Sequence, residues 1–113
     1  MIRQERLNSY RIMWIFVIFD LPVETKKERK AAADFRKTLL KDGFGMLQFS
    51  VYARHCASDE SAQVHIKRTK TAVPEKGQVS IIKITDRQYG EIINIWGAKE
   101  KLLAPGPTQI ELF

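Results

Sequence analysis

The chain has 113 residues, 44% of them hydrophobic and 28% charged, which is enough apolar material for one core and one domain. Lys+Arg 19 against Asp+Glu 13 leaves a formal charge of +6, a balance that favours a polyanion, usually nucleic acid, as partner. The lone Cys56 excludes a disulfide scaffold, and neither a bilayer-spanning run nor an apolar signal segment is present, so a cytoplasmic domain with no membrane partner is expected.

Residues 1–11 read as a polar, mixed-charge arm. Ile12 to Phe19 is an unbroken run of eight apolar residues rich in β-branched and aromatic types, the pattern of a strand buried on both faces. Asp20 ends it, and Leu21-Pro22 turns the chain away. Thr25 and Glu28 then have capping-box spacing. Ala32, Phe35, Leu39 and Leu40 form the apolar stripe of the helix that follows, and Gly43 stops it. Its opposite face carries Lys26, Lys27, Arg29, Lys30, Lys37 and Lys41.

From Phe44 to Arg54, Leu47, Phe49, Val51 and Ala53 alternate with Gln48, Ser50, Tyr52 and Arg54, as a half-buried strand does. Gly45 is the place where a bend would divide it into two strands. Ser58 caps a second helix whose stripe is Ala62, Ile66, Thr69 and Val73 and whose stops are Pro74 and Gly77. Val79–Thr85 and Glu91–Trp96 read as strands. Residues 97–107 form a linker around Pro105-Gly106-Pro107, and Ile110, Leu112 and Phe113 make an apolar final strand.

This order predicts an α+β ferredoxin-like sandwich, βαββαβ, over residues 12–96, with both helices on one face of an antiparallel sheet and an extra C-terminal strand in 97–113. The first strand is apolar on both alternating sets, so the face without helices needs a cover. A two-fold, sheet-to-sheet homodimer supplies one, with the strands at 91–96 and 109–113 lying across the neighbour's edge. The chain's own tail folded over its own sheet is the alternative.

Asp20 is the leading chemical candidate, because a carboxylate at the end of a buried strand sits beside low-dielectric surroundings. Such aspartates often only bond a turn's N–H groups. A dimer axis near the first strand would bring two Asp20 side chains together, and a divalent cation, Mg²⁺ or Mn²⁺, would relieve their repulsion. That ion could activate water at a phosphodiester. The lysines and arginines of the first helix, with Arg36 further along, suit a phosphate backbone, and Arg54, Lys67, Arg68 and Lys70 would extend the patch. Ser50 could bond a phosphate or a metal-bound water, although such residues more often pair across strands. His55, Cys56 and His65 fit no standard zinc spacing, and no sequence feature singles out a base for Cys56. Asp42-Gly43-Phe44-Gly45-Met46-Leu47-Gln48-Phe49 approaches the RNA-recognition-motif signature, with Asp42 and Met46 off pattern, which makes a non-catalytic RNA-binding module the rival reading.

Phe19-Asp20-Leu21-Pro22, the Lys-rich helix, and Gly43-Phe44 followed by Gln48-Phe49-Ser50-Val51-Tyr52 together resemble the small CRISPR-associated protein family numbered two, Cas-two. Lys83-Ile84-Thr85-Asp86 and Gln109-Ile110-Glu111-Leu112-Phe113 are similar to its variants from single-effector systems, especially subtype II-C. The resemblance implies a ferredoxin-like homodimer described as a metal-dependent endonuclease of RNA or duplex DNA. It also implies a part in spacer acquisition, bridging dimers of the CRISPR integrase subunit, Cas-one. The family's metal-binding aspartate corresponds to Asp20, and its phosphate-contacting positions are matched to Lys26, Lys27, Arg29 and Arg36. The family usually begins at strand one, so residues 1–11 are extra here.

Overall fold

The computed structural model describes residues 11–101. The arm over 1–10 and the apolar tail after 101 lie outside the described residues. The elements are β1 (Met13–Asp20), α1 (Lys26–Lys41), β2 (Gly45–Gln48), β3 (Val51–Cys56), α2 (Asp59–Ala72), β4 (Gln78–Thr85), α3 (Asp86–Gly90), β5 (Asn94–Trp96) and β6 (Lys99–Lys101). The first six give the βαββαβ order. They form a four-stranded antiparallel sheet, β2-β3-β1-β4, in agreement with the ferredoxin-like expectation. No helix among the described residues is long and apolar enough to cross a membrane.

The apolar run fixes β1 in the sheet interior, where Val17 faces Tyr52 of β3 on one side and Ile81 of β4 on the other. Alternation then sends Ile15, Val17 and Phe19 to the helix side, where they pack with Phe35, Leu39, Phe44, Tyr52, Cys56 and Ala62. Phe35 meets Phe19 edge-on, with centroids 5.1 Å apart. The start of α1 forms as its spacing requires. The Glu28 N–H donates to Thr25 Oγ1 at 3.0 Å, and the Thr25 N–H donates to Glu28 Oε1 at 2.9 Å. Those backbone donors, Thr25's foremost, hold the Glu28 carboxyl below the usual glutamate range. Leu40 departs from the expected stripe. One position past buried Leu39, it is rotated to the helix flank and exposed.

The division between β2 and β3 falls at Phe49-Ser50, not at Gly45. Gly45 is buried and stays in the ladder opposite Ala53, whereas Ser50 takes the left-handed conformation at φ 66°. The turn reverses the assignment of two neighbours: Phe49, expected inside, is 79% exposed, and Tyr52, expected among the outward set, is buried against the helices.

α3 and the β5–β6 hairpin are further departures. Thr85 and Gln88 close a second capping box that starts α3 directly after β4. Residues 97–101, assigned to a linker, turn through Gly97 at φ 66° and return as β6, with Ile95 opposite Glu100.

The second face of the sheet is partly covered by the chain itself, through α3; the tail expected as the alternative cover lies outside the described residues. The Tyr89 ring stacks on fully buried Trp14 at 3.7 Å and 4°, and the Trp14 indole N–H donates to Asp86 Oδ1 at 2.7 Å. Burial, reinforced by Asp86, pushes the Tyr89 hydroxyl up to about 12. Among the described residues the cover ends there: further along the same face Ile18 is 39% and Ile82 45% exposed.

Candidate functional site

Asp20 occupies the last position of β1, opposite Gln78 of β4. By alternation it shares the face opposite α1 and α2 with Trp14, Phe16 and Ile18. Its side chain is exposed, and no hydrogen bond or ion pair among the described residues uses its carboxylate. The turn that follows is seated on Gly77. That glycine has φ 104°, and a Cβ there would lie 2.9 Å from the Asp20 carbonyl oxygen and 2.7 Å from Leu21 Cδ2. Sequence reasoning gave Gly77 only the task of stopping α2; its close approach is what lets β4 start beside Asp20.

From Asp20 the chain reaches α1 through Val23-Glu24. Arg29 reaches back over this loop, donating from Nη1 to the carbonyls of Val23 at 3.1 Å and Glu24 at 2.9 Å. Lys26 and Lys27 stand exposed on the first turn of the same helix. Arg36 leaves the lysine face and lies over two rings, 5.7 Å from the Phe19 centroid and 5.1 Å from that of Phe49. On the other side of β1, the Phe19 N–H donates to the Ser50 carbonyl at 3.1 Å, which ties the β2–β3 turn to the residue before Asp20. One end of the sheet therefore gathers Asp20, Ser50, Phe49, Arg36 and the start of α1.

Arg54 is placed elsewhere. It pairs with Ile15 in the middle of β1, and its Nε and Nη1 donate to the carbonyls of Asp42 and His55, each at 2.7 Å. Its Nε thus stitches β3 to the end of α1, and its Nη1 is spent on its own strand, instead of facing a ligand. Arg68, counted with the basic patch, is likewise drawn to Asp42, its Nη1 lying 2.8 Å from Oδ1, while His65 Nδ1 lies 2.8 Å from Oδ2. Burial raises the Asp42 pKa, but the hydrogen bonds from His65 and Arg68 outweigh it and hold the carboxyl below the ordinary aspartate range.

The remaining candidates separate. His55 packs edge-on to Trp14 at 5.3 Å, and burial pushes its pKa down. Cys56 is buried in the core, and burial pushes its thiol up, away from the reactive thiolate. Among the described residues no three His, Cys, Asp or Glu side chains gather where they could hold a metal ion. The described residues of one chain therefore fall short of the carboxylate cluster that a Mg²⁺ site needs. Of the two aromatics that the RNA-recognition-motif reading needs, Phe44 is core and only Phe49 is exposed.

The profile of the family described as CRISPR associated protein Cas2 matches residues 13–92. The chain is 52% identical over 108 residues to a CRISPR-associated endoribonuclease Cas2 of Flavobacterium psychrophilum, covering 96% of this chain and 94% of that one. It is 52% identical over 101 residues to the protein of that name from Parvibaculum lavamentivorans, covering 89% and 100%. A third, from Paracidovorax avenae, is 45% identical over 107 residues, covering 95% and 99%.

Proposed function

The chain belongs to the Cas2 family of CRISPR-associated proteins, and from that premise we propose that it acts as a homodimeric, metal-dependent endonuclease in spacer acquisition. The observation that carries this reading is the exposed Asp20, without a partner among the described residues, at the end of a sheet face on which Ile18 and Ile82 are exposed. Removing those side chains from water favours stacking a second copy on the same face. A two-fold axis near β1 then sets one Asp20 against the other and brings a second carboxylate to the first.

The paired Asp20 carboxylates would hold Mg²⁺ or Mn²⁺, which would supply a bound water of lowered pKa and offset charge at a phosphodiester. Lys26, Lys27 and Arg29 hold the phosphate backbone without reading sequence, and Arg29 also fixes the loop that follows the acid. The Ser50 hydroxyl sits at the same end of the sheet, in reach of the same strand of nucleic acid. The relatives are named endoribonucleases, which favours RNA for the hydrolytic reaction. Duplex DNA is the ligand of the second duty, in which the dimer bridges two dimers of the integrase subunit, Cas-one, in a single-effector system.

The two duties separate at one residue. In a nuclease assay with Mg²⁺, Asp20→Ala should lose essentially all hydrolysis while its circular dichroism and melting temperature stay at wild-type values, because the side chain is exposed and pairs with nothing described. Undiminished cleavage by that variant would remove Asp20 from the reaction. A wild-type protein that binds duplex and integrase but never cleaves would leave the bridging duty alone.

A further inference from the structure

β2 is an edge strand. Gly45–Gln48 pairs with β3 on one side, and among the described residues nothing pairs with its other side. A free edge leaves backbone N–H and C=O groups open to another strand unless something blunts or covers it. β2 carries neither lysine nor proline, and both of its faces are apolar. Met46 lies opposite Tyr52, so it shares the helix side, where it is exposed. Leu47 packs on the other face, against the cluster of Trp14, Ala53 and Tyr89. On the helix side the apolar surface continues. The Tyr52 ring lies against Phe19, Arg36 lies over both Phe19 and the exposed Phe49, and Leu40, one turn on from Arg36, is exposed as well. No carboxylate among the described residues pairs with Arg36.

A strand that completes this edge needs an acid on the helix side and aliphatic side chains on the other. A phosphate backbone would meet Arg36 but leave Met46 and Leu40 bare, and a second copy stacked on the open face lies on the opposite side of the sheet. The sequence after β6 has the required alternation, with Gln109, Glu111 and Phe113 in one set and Ile110 and Leu112 in the other. It also starts close by. Ile92, just before β5, packs on the same Trp14 cluster as Leu47, and Lys101 at the end of β6 lies opposite Asn94. β2 is two strands from β1, or about 10 Å. Residues 102–108, fully extended, span up to about 23 Å. We propose that residues 109–113 close the β2 edge of their own chain as a further strand, entering from the Gly45 end. Glu111 then pairs with Arg36, Phe113 runs toward Phe49, and Ile110 and Leu112 stand beside Leu47. The final strand thus belongs to its own sheet and not to a neighbour's edge, and Asp20 takes no part in holding it.

The test is photocrosslinking in the full chain, with p-benzoylphenylalanine in place of Met46. After irradiation, mass spectrometry should find the adduct on residues 109–113, and denaturing electrophoresis should show it at the mass of one chain. Glu111→Lys should lower the yield about three-fold, the size of one partly exposed ion pair. Arg36→Glu should do the same, and the two together should restore the yield. Circular dichroism checks that each variant is folded. Should Arg36→Glu not fold, because Arg36 packs on Phe19, Glu111→Lys and Glu111→Gln carry the charge test on their own. No adduct, an adduct on any other segment, or a yield indifferent to Glu111 would overturn the proposal. So would an adduct at the mass of two chains, which would give the segment to a second copy.

Discussion

Under α1 and α2 the sheet buries Ile15, Val17 and Phe19 almost completely, whereas on its other face the same strand leaves Ile18 open and ends in an exposed acid. The difference follows from alternation along β1. Odd-numbered residues enter the core between sheet and helices. Even-numbered ones divide, Trp14 going under α3 and Ile18 and Asp20 remaining outside. One strand thus carries stability on one side and the candidate chemistry on the other, and substitutions on the two sides should act differently.

The largest effect belongs to the covered face. Phe35→Ala opens a cavity beneath Phe19 and should cost about 3–5 kcal/mol in urea denaturation, enough to unfold a marginal domain. A loss near that of a surface change would mean that the helix-side packing is not what holds the fold. Next comes the hinge between the faces. Gly77→Ala meets both a positive φ and the Asp20 carbonyl, and should cost about 2 kcal/mol. Gly43→Ala, at φ 91° and against only the Arg54 side chain, is its control. Both should lower the melting temperature, but only Gly77→Ala should lose hydrolysis at temperatures where it is still folded.

The Asp42 junction between α1 and α2 should show itself in pH dependence. Its carboxyl titrates lower in the folded chain than in the unfolded one, where the value is about 3.9. Its contribution is therefore complete above that value and is lost as pH falls through the lower folded one. Asp42→Asn should be about 1–2 kcal/mol less stable than wild type at neutral pH. The gap should close in acid; a gap that widened there would reverse the sign. The smallest effect on folding belongs to the open face. Ile82→Lys should change the stability of the single chain by no more than about 0.5 kcal/mol, yet light scattering should show fewer dimers. A fully dimeric Ile82→Lys would place the subunit contact elsewhere.

Much of the covered face was legible in the sequence. The apolar run, the Thr25–Glu28 box and the Ala32-Phe35-Leu39 spacing are local signals, and they gave β1, α1 and the position of Asp20. What was hidden depends on long-range geometry. A serine carries no sign that it will turn left-handed, so the break fell at Gly45 and Phe49 was placed inside. The Thr85–Gln88 box was present, but a five-residue helix is too short to show a period. The duties of Arg54, which bonds the Asp42 carbonyl, and of Arg36, which lies over Phe49, rest on partners 12 and 13 positions away, beyond any periodicity of one element.

The claim on which the rest depends is that two chains share one cation between their Asp20 carboxylates. Calorimetric titration of the metal-free protein with Mn²⁺ measures this directly. The account predicts one ion per two chains and loss of that binding in Asp20→Asn. One ion per chain, or the same titration curve from Asp20→Asn, would contradict it.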